Sequence, residues 1–313
     1  MSFKDSMLRR GDVVEVRSAA EIMLTLDADG MLDGLPFMPE MLRFCGKQFV
    51  VSRRAEKTCV DGADGSIREF TNNDVIFLED LRCDGAAHAG CGRSCSLFWK
   101  TAWVRSITAT DVKSTPGAVA DLARLKTVKG EGQYICQSSE LIAATQPLTT
   151  RGRLQKCLRE VCVGDRSAEL MVWLMVSAAW RKFWQRYSIG VVLVGNQTRT
   201  PTEALNLQPG ELVEVKSPEE IRATLDASGR NRGMTFGTCM TPFCGRQYRV
   251  KSRLDHMILE MTGQMRELSN TVVLEDVTCR CPMVVGGCPR KDSLYWREIW
   301  LKRVESPAAH RKK

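Results

Sequence analysis

The sequence lacks the short motifs that most often identify enzymes. It contains no GxSxG nucleophile motif, no phosphate-binding P-loop, no GxGxxG dinucleotide fingerprint and no HExxH zinc-protease motif. Histidine is also scarce, with 3 residues in the whole chain. These absences favour a binding or accessory protein over an enzyme.

Long apolar segments are lacking as well. No apolar stretch follows the first residues, 1–10, so a secretory signal is not expected and the cytoplasm is the expected compartment. The most apolar run, residues 170–180, falls short of the roughly 20 residues that span a bilayer. We interpret residues 170–184 as a buried helix, with a helix that contacts a membrane surface or docks a partner as the alternative.

A strong charge of one sign is missing too. The chain has 45 Lys and Arg against 37 Asp and Glu, which gives a net charge of +8 and a pI near 8.9. Such a mild basic excess is usually solvated surface. Binding to nucleic acid is therefore an alternative that is not favoured.

Cysteine, in contrast, is abundant. The chain has 13 cysteines, with five in residues 45–95, three in 136–162 and five in 239–288. Disulfides are disfavoured in the cytoplasm, and an odd, clustered set fits local sites better than a disulfide framework. We therefore expect several of these cysteines to be metal ligands.

The second half of the sequence repeats the first. The clearest matching segments are 11–18 with 210–217, 44–49 with 243–248, and 96–103 with 293–300. The repeat predicts three parts: a first Cys-rich β module at 8–112, a helical middle segment at 118–200, and a second Cys-rich β module at 207–306.

Each copy predicts a strand, a short helix and several further strands. Ser18 is followed three residues later by Glu21, as Ser217 is by Glu220, and this spacing is a capping box that opens a helix. Gly30 is expected to end the first helix. The expected fold is α+β: two duplicated small SH3-like β-barrels, each with one inserted helix, separated by a mainly helical segment. Four tryptophans of the repeat are expected to fill the barrel cores: Trp99, Trp103, Trp296 and Trp300.

The candidate metal site of the first copy has the spacing Cys83-x4-His88-x2-Cys91-x3-Cys95. Three thiolates and an imidazole are the usual ligands of a closed tetrahedral zinc site. Cys45 and Cys59 are further candidates, and Cys59 in place of His88 would give four thiolates that suit a 4Fe-4S cluster. The alternative is a group of partly buried cysteines that holds no metal.

The second copy keeps only part of this pattern. Two of its cysteines, Cys279 and Cys288, align with Cys83 and Cys91. Ile258 and Asp292 stand where the first copy has Cys59 and Cys95. Further thiols would have to complete a second site: Cys281 with either Cys244 or Cys239. The alternative is a degenerate copy that retains its thiols as small buried residues.

These patterns together predict a cytoplasmic zinc-binding accessory or scaffold protein. Its tandem β-barrels are expected to bind another macromolecule, such as a protein partner. The first alternative is an iron-sulfur redox enzyme or cluster carrier that uses the same cysteines. The second alternative is a nucleic-acid-binding module.

Overall fold

The chain forms two compact units. A computed structural model describes residues 7–61, 67–107, 122–164, 167–185, 193–279 and 290–304. Unit 1 comprises Met1–Met175, Met257–Arg266 and Val284–Arg290, and unit 2 comprises Val176–His256, Glu267–Met283 and Lys291–Lys313. The three-part division expected from the sequence stays a prediction.

Helices and strands are mixed along the chain, and strand residues outnumber helix residues. The strands are β1 (Val13–Val16), β2 (Met31–Leu32), β3 (Leu35–Pro36), β4 (Gln48–Arg54), β5 (Arg68–Phe70), β6 (Val75–Leu78), β7 (Trp99–Lys100), β8 (Val104–Ser106), β9 (Val128–Gly130), β10 (Gln133–Tyr134), β11 (Thr145–Pro147), β12 (Leu212–Val215), β13 (Arg230–Asn231), β14 (Met234–Thr235), β15 (Gln247–Arg253), β16 (His256–Ile258), β17 (Met265–Glu267), β18 (Thr271–Thr278), β19 (Ser293–Arg297) and β20 (Leu301–Arg303). The α-helices are α1 (Ala19–Met23), α2 (Leu141–Ala144), α3 (Thr150–Cys162), α4 (Ala168–Gln185) and α5 (Pro218–Arg222). Short 3-10 helices cover Pro39–Phe44, Thr101–Trp103, Leu122–Arg124, Thr241–Phe243 and Glu298–Trp300. The expected combination of α and β elements is confirmed, whereas the duplicated SH3-like barrels stay a prediction.

The main sheet of unit 1 has five antiparallel strands in the order β7-β6-β4-β1-β8. Strand β1 alternates as its sequence predicts, because Val14 and Val16 are fully buried. Trp99 and Trp103 are also fully buried and make edge-on contacts with Phe37, with ring centroids 6.3 and 5.3 Å away. The expected role of these tryptophans in the core is confirmed.

Unit 2 contains a five-stranded antiparallel sheet in the order β19-β18-β15-β12-β20. Val213 and Val215 of β12 are fully buried. Trp296 and Trp300 are fully buried too, and Phe236 makes edge-on contacts with both, at centroid distances of 6.2 and 5.4 Å. This core likewise contains the predicted tryptophans.

Both predicted capping boxes are present. The backbone N–H of Ser18 donates to Glu21 at 2.9 Å, and that of Ser217 donates to Glu220 at 2.9 Å. Helix α1, however, ends at Met23 instead of continuing to Gly30. The chain between them turns because the Asp27 carboxylate accepts hydrogen bonds from the backbone N–H groups of Asp29 and Met31.

The middle segment is less helical than expected. Strand β11 pairs with β5, and the hairpin β9–β10 precedes α2. Most of the described side chains of helix α4 are exposed or half-buried, which corrects the interpretation of residues 170–184 as a buried helix. Met171 is buried, but Val172, Trp173, Val176 and Trp180 each expose 61–63% of their surface. The interpretation rested on a continuous apolar run, and such a run does not identify which face of a helix packs. Among the helices that the structure describes, none has both the length and the apolar character needed to cross a membrane.

Candidate metal centre

The loop from Cys83 to Cys95 is closed at its base and tightly folded. The backbone N–H of Cys83 donates to the carbonyl of Cys95 at 2.9 Å. Gly85 lies in the left-handed region with φ +71°, and a Cβ there would lie 2.2 Å from the carbonyl oxygen of Cys91. Only glycine allows this approach, so the local sequence brings the loop cysteines back towards one another.

This loop forms part of a pocket in unit 1. The pocket has about 400 Å³ of empty space, which includes its opening to solvent. Four cysteines line it: Cys83, Cys91, Cys95 and Cys136. Cys136 follows strand β10 in the middle segment, and the sequence offered no partner for it.

Each of these four sulfur atoms accepts a hydrogen bond. The donors all lie 3.4 Å from sulfur and are the Gly85 N–H to Cys83, the Ile258 N–H to Cys91, the Ser138 hydroxyl to Cys95 and the Ser139 N–H to Cys136. Hydrogen bonds to sulfur stabilise a thiolate more than a thiol and are a usual feature around metal-bound cysteines. These four donors would stabilise the sulfur atoms in their ionised form.

Burial opposes that ionisation when no cation is bound. It raises the pKa of Cys136 to about 12. It also raises the pKa of Cys83, and the nearby charge of Glu40 raises it further. A metal ion reverses this balance, because a coordinated thiol loses its proton. The buried thiols and their hydrogen-bond donors thus suit a bound cation.

His88 lies in the pocket but is held by other groups. Its Nδ1 contacts Oε1 of Glu40, and its Nε2 donates to the carbonyl of Ile135 at 2.8 Å. Burial lowers the pKa of His88, but the hydrogen bond and charge of Glu40 outweigh this and raise it above 6.5. Burial raises the pKa of Glu40, and His88 in turn brings it below 4.5. Each side chain thus favours the charged form of the other, and both imidazole nitrogens are engaged.

Glu40 is a site residue that the sequence analysis missed. It is 7% exposed on the 3-10 helix Pro39–Phe44, and its Oε1 lies 3.7 Å from Sγ of Cys83. Among the described residues, one group of three His, Cys, Asp or Glu ligand atoms lies within 4.8 Å: Glu40, Cys83 and His88. The available signal was a single carboxylate between apolar residues, in Met38-Pro39-Glu40-Met41.

A buried charged wall borders the pocket. Arg93 lines the pocket, and its guanidinium donates to Glu260 at 2.9 Å and to the Ile258 carbonyl at 3.1 Å. Arg290 donates to Glu260 at 3.1 Å and to the carbonyl of Cys59 at 2.9 Å. The two arginines and Glu260 are at most 4% exposed. Residues 257–266 and Arg290, from late in the chain, thus build part of this site.

The remaining predicted ligands lie elsewhere. Cys45 and Cys59 do not line the pocket, and burial raises the pKa of Cys45 to about 11. In unit 2, Cys244 packs partly buried against the core. The N–H of Cys279 donates to the carbonyl of Asp292 at 2.8 Å. Two further predicted ligands lie outside the described residues: Cys281 and Cys288.

Comparisons of the chain with protein-family models, with curated proteins and with solved structures found no match. The four-cysteine pocket of unit 1 is the structural feature that bears most directly on function.

Proposed function

We propose that the chain binds a metal centre through Cys83, Cys91, Cys95 and Cys136, and that this centre is a 4Fe-4S cluster. The observation that carries the proposal is that four sulfur atoms line one pocket and each accepts a hydrogen bond. Four cysteine thiolates are the usual ligands of such a cluster.

The four cysteines do not form a compact ligand group of the size that a single zinc ion needs. Tetrahedral zinc, with Zn–S bonds of about 2.3 Å, holds its sulfur atoms about 3.8 Å apart. No three of the four described sulfur atoms lie within 4.8 Å of one another. A cluster separates its thiolates more widely, because its own iron and sulfide atoms lie between them.

Zinc is a second candidate because one compact ligand group exists. Glu40, Cys83 and His88 have ligand atoms within 4.8 Å of one another. Zinc binding there would require His88 to give up its hydrogen bond to Ile135 or its contact with Glu40. That cost makes zinc the weaker candidate.

The proposed role is electron transfer or structural support for a partner. A cluster held by four cysteines has no iron position open to a substrate, so direct catalysis on a substrate is not favoured. For the fold, we propose two copies of an SH3-like module, supported by equivalent five-stranded orders and equivalent tryptophan pairs. The proposed compartment is the cytoplasm, where thiols stay reduced.

Anaerobic purification tests the proposal. We expect brown protein with broad visible absorbance, and iron and acid-labile sulfide in equal amounts near four per chain. Cys136→Ser is expected to lower both, whereas Cys157→Ser, at a buried cysteine of α3 outside the pocket lining, is the matched control. Colourless protein with one zinc per chain would favour the second candidate. Protein without iron or zinc would contradict both.

A further inference from the structure

Unit 1 contains a buried lysine whose charge is balanced by two carboxylates. Lys100 is the last residue of β7 and is 1% exposed. Its Nζ lies 2.7 Å from Oδ2 of Asp33 and 3.0 Å from Oδ1 of Asp74. The side chains of these acids are 42% and 23% exposed, so both are in contact with solvent. The lysine thus has the negative partners that a buried cation requires.

Unit 2 has a buried arginine at the equivalent place. Arg297 is the last residue of β19 and is 6% exposed. A 3-10 helix begins at the next residue, as it does after β7 in unit 1. In unit 1 the first N–H of that helix, from Thr101, donates to the carbonyl of Asp74 at 2.7 Å. In unit 2 the N–H of Glu298 donates to the carbonyl of Asn270 at 2.8 Å. A neutral asparagine therefore stands where unit 1 has the first of its two acids.

The second acid, at a hairpin turn, is replaced as well. Strands β2 and β3 are joined by Asp33 and Gly34, which have φ of +52° and +75°. Strands β13 and β14 are joined by Arg232 and Gly233, which have φ of +47° and +80°. The carbonyl of Arg232 accepts from the guanidinium of Arg297 at 2.9 Å, so this turn lies against the buried arginine. Arg232 therefore takes the position from which Asp33 binds the lysine in unit 1.

The acceptors that bind the Arg297 guanidinium in the described part of the chain are all neutral. They are the carbonyl oxygens of Ser269 and Arg232, both at 2.9 Å, and the hydroxyl of Thr271 at 3.0 Å. Its Nε is buried and has no hydrogen-bond partner among the described residues. Burial lowers the pKa of Arg297, and the nearby charge of Arg232 lowers it further. Two positive charges thus lie close together where unit 1 has one cation and two acids.

We propose that Arg297 and Arg232 bind a phosphate group, which takes the place of the two carboxylates of unit 1. A phosphate group carries about 1.5–2 negative charges at pH 7, which matches two guanidinium groups better than the single charge of a carboxylate does. Guanidinium groups also present their N–H donors in a planar fork that suits phosphate oxygens. Arg232 is exposed, so the group can enter from solvent. The site belongs to unit 2 and is independent of the proposed metal centre.

Equilibrium dialysis of the full chain with labelled inorganic phosphate, at constant ionic strength, measures this binding. We expect saturable binding of one phosphate per chain. Phenyl phosphate and acetate are the competitors. Displacement by phenyl phosphate would support a phosphate group carried on a small molecule, and binding that phenyl phosphate does not displace would support free phosphate. Displacement by acetate as readily as by unlabelled phosphate would overturn the choice of phosphate.

Arg232→Asp restores the acid that unit 1 has at this turn. The new carboxylate should pair with Arg297, so we expect phosphate to bind about tenfold more weakly or less. The midpoint of urea unfolding in phosphate-free buffer should rise, because the buried guanidinium then has a negative partner. The exposed position makes this variant compatible with folding. The matched control is Arg246→Asp, the same charge change at an exposed arginine of unit 2 that does not contact Arg297.

Two results would overturn the inference. The first is wild-type protein that binds no phosphate saturably. The second is an equal loss of binding in Arg232→Asp and Arg246→Asp, because it would indicate a general attraction of anions to a basic protein. Loss in Arg232→Asp alone, with Arg246→Asp binding as the wild type does, is the expected result.

Discussion

The imidazole of His88 is held between the carboxylate of Glu40 and the carbonyl of Ile135, with Nε2 donating to that carbonyl at 2.8 Å. His88 and Glu40 are 1% and 7% exposed. A histidine among cysteines predicts a metal ligand, which stays a prediction; because both ring nitrogens are engaged, we propose that His88 supports the loop.

The variant His88→Gln should therefore retain metal and lose stability. Removing one partner leaves the Glu40 carboxylate buried and without its cation, which typically costs about 3–5 kcal/mol. We expect iron per chain to equal that of the wild type and the midpoint of urea unfolding to fall. Glu40→Gln should give a similar loss of stability. A folded His88→Gln protein without metal would identify His88 as a ligand and contradict this expectation.

Gly85→Ala should disrupt the centre, whereas Gly90→Ala should not. Both glycines have positive φ, +71° and +76°, so alanine strains the backbone at either position, by about 1 kcal/mol. A Cβ at Gly85 would also lie 2.2 Å from the carbonyl oxygen of Cys91, whereas a Cβ at Gly90 would meet no atom within 4 Å. We expect Gly85→Ala to lower the iron content and Gly90→Ala to retain it. Equal metal contents would show that Cys91 does not depend on this close approach.

Local sequence signals predicted local structure well. The capping boxes at Ser18 and Ser217 depend on residues three positions apart, and both are present. The spacing of Cys83, Cys91 and Cys95 similarly predicted that they lie together, because a short glycine-containing loop cannot separate them far.

The rest of the site depends on tertiary packing that spacing does not encode. Two contacts of strand β10 bring Cys136 to the pocket. Strand β10 pairs with β9, and the backbone N–H of Tyr134 in β10 donates to the carbonyl of Gly263, which lies between β16 and β17. Glu260 and Ile258 belong to the repeated half of the chain, where alignment assigned them to a second module. The sequence pattern around Cys136 and the pattern of residues 257–266 do not predict that residues 257–266 pack in unit 1.

Acid should destabilise the protein partly through Glu260. Burial raises the pKa of this carboxyl, but the charges of Arg290 and Arg93 outweigh burial and bring it below 4.5. A lowered pKa means that the stabilisation is complete above pH 4.5 and is lost as the pH falls through the lower, folded-state pKa. We expect the free energy of unfolding of metal-free protein to decrease with acid below pH 4.5, and less steeply in Glu260→Gln. Equal slopes in the two proteins would contradict this assignment.

The buried pair Lys57–Glu160 should stabilise unit 1 only when both partners are present. Lys57 Nζ lies 2.6 Å from Oε1 of Glu160, and the side chains are 4% and 8% exposed. Lys57→Met removes the ammonium group that lies 2.6 Å from this buried carboxylate, so we expect a loss of about 3–5 kcal/mol in the free energy of unfolding. Lys57→Met with Glu160→Met should recover most of that loss, because neither member of the pair is then buried without the other.

An exposed pair of the same length is the matched control. Lys126 Nζ lies 2.6 Å from Oδ1 of Asp29, but the side chains are 50% and 62% exposed. Lys126→Met should change the free energy of unfolding by about 1 kcal/mol or less, because water replaces the lost partner. Urea unfolding at pH 7 measures all three variants. The two pairs have equal N–O distances and differ in burial. If Lys57→Met and Lys126→Met lowered the free energy of unfolding by similar amounts, burial would not determine how much each ion pair stabilises the protein.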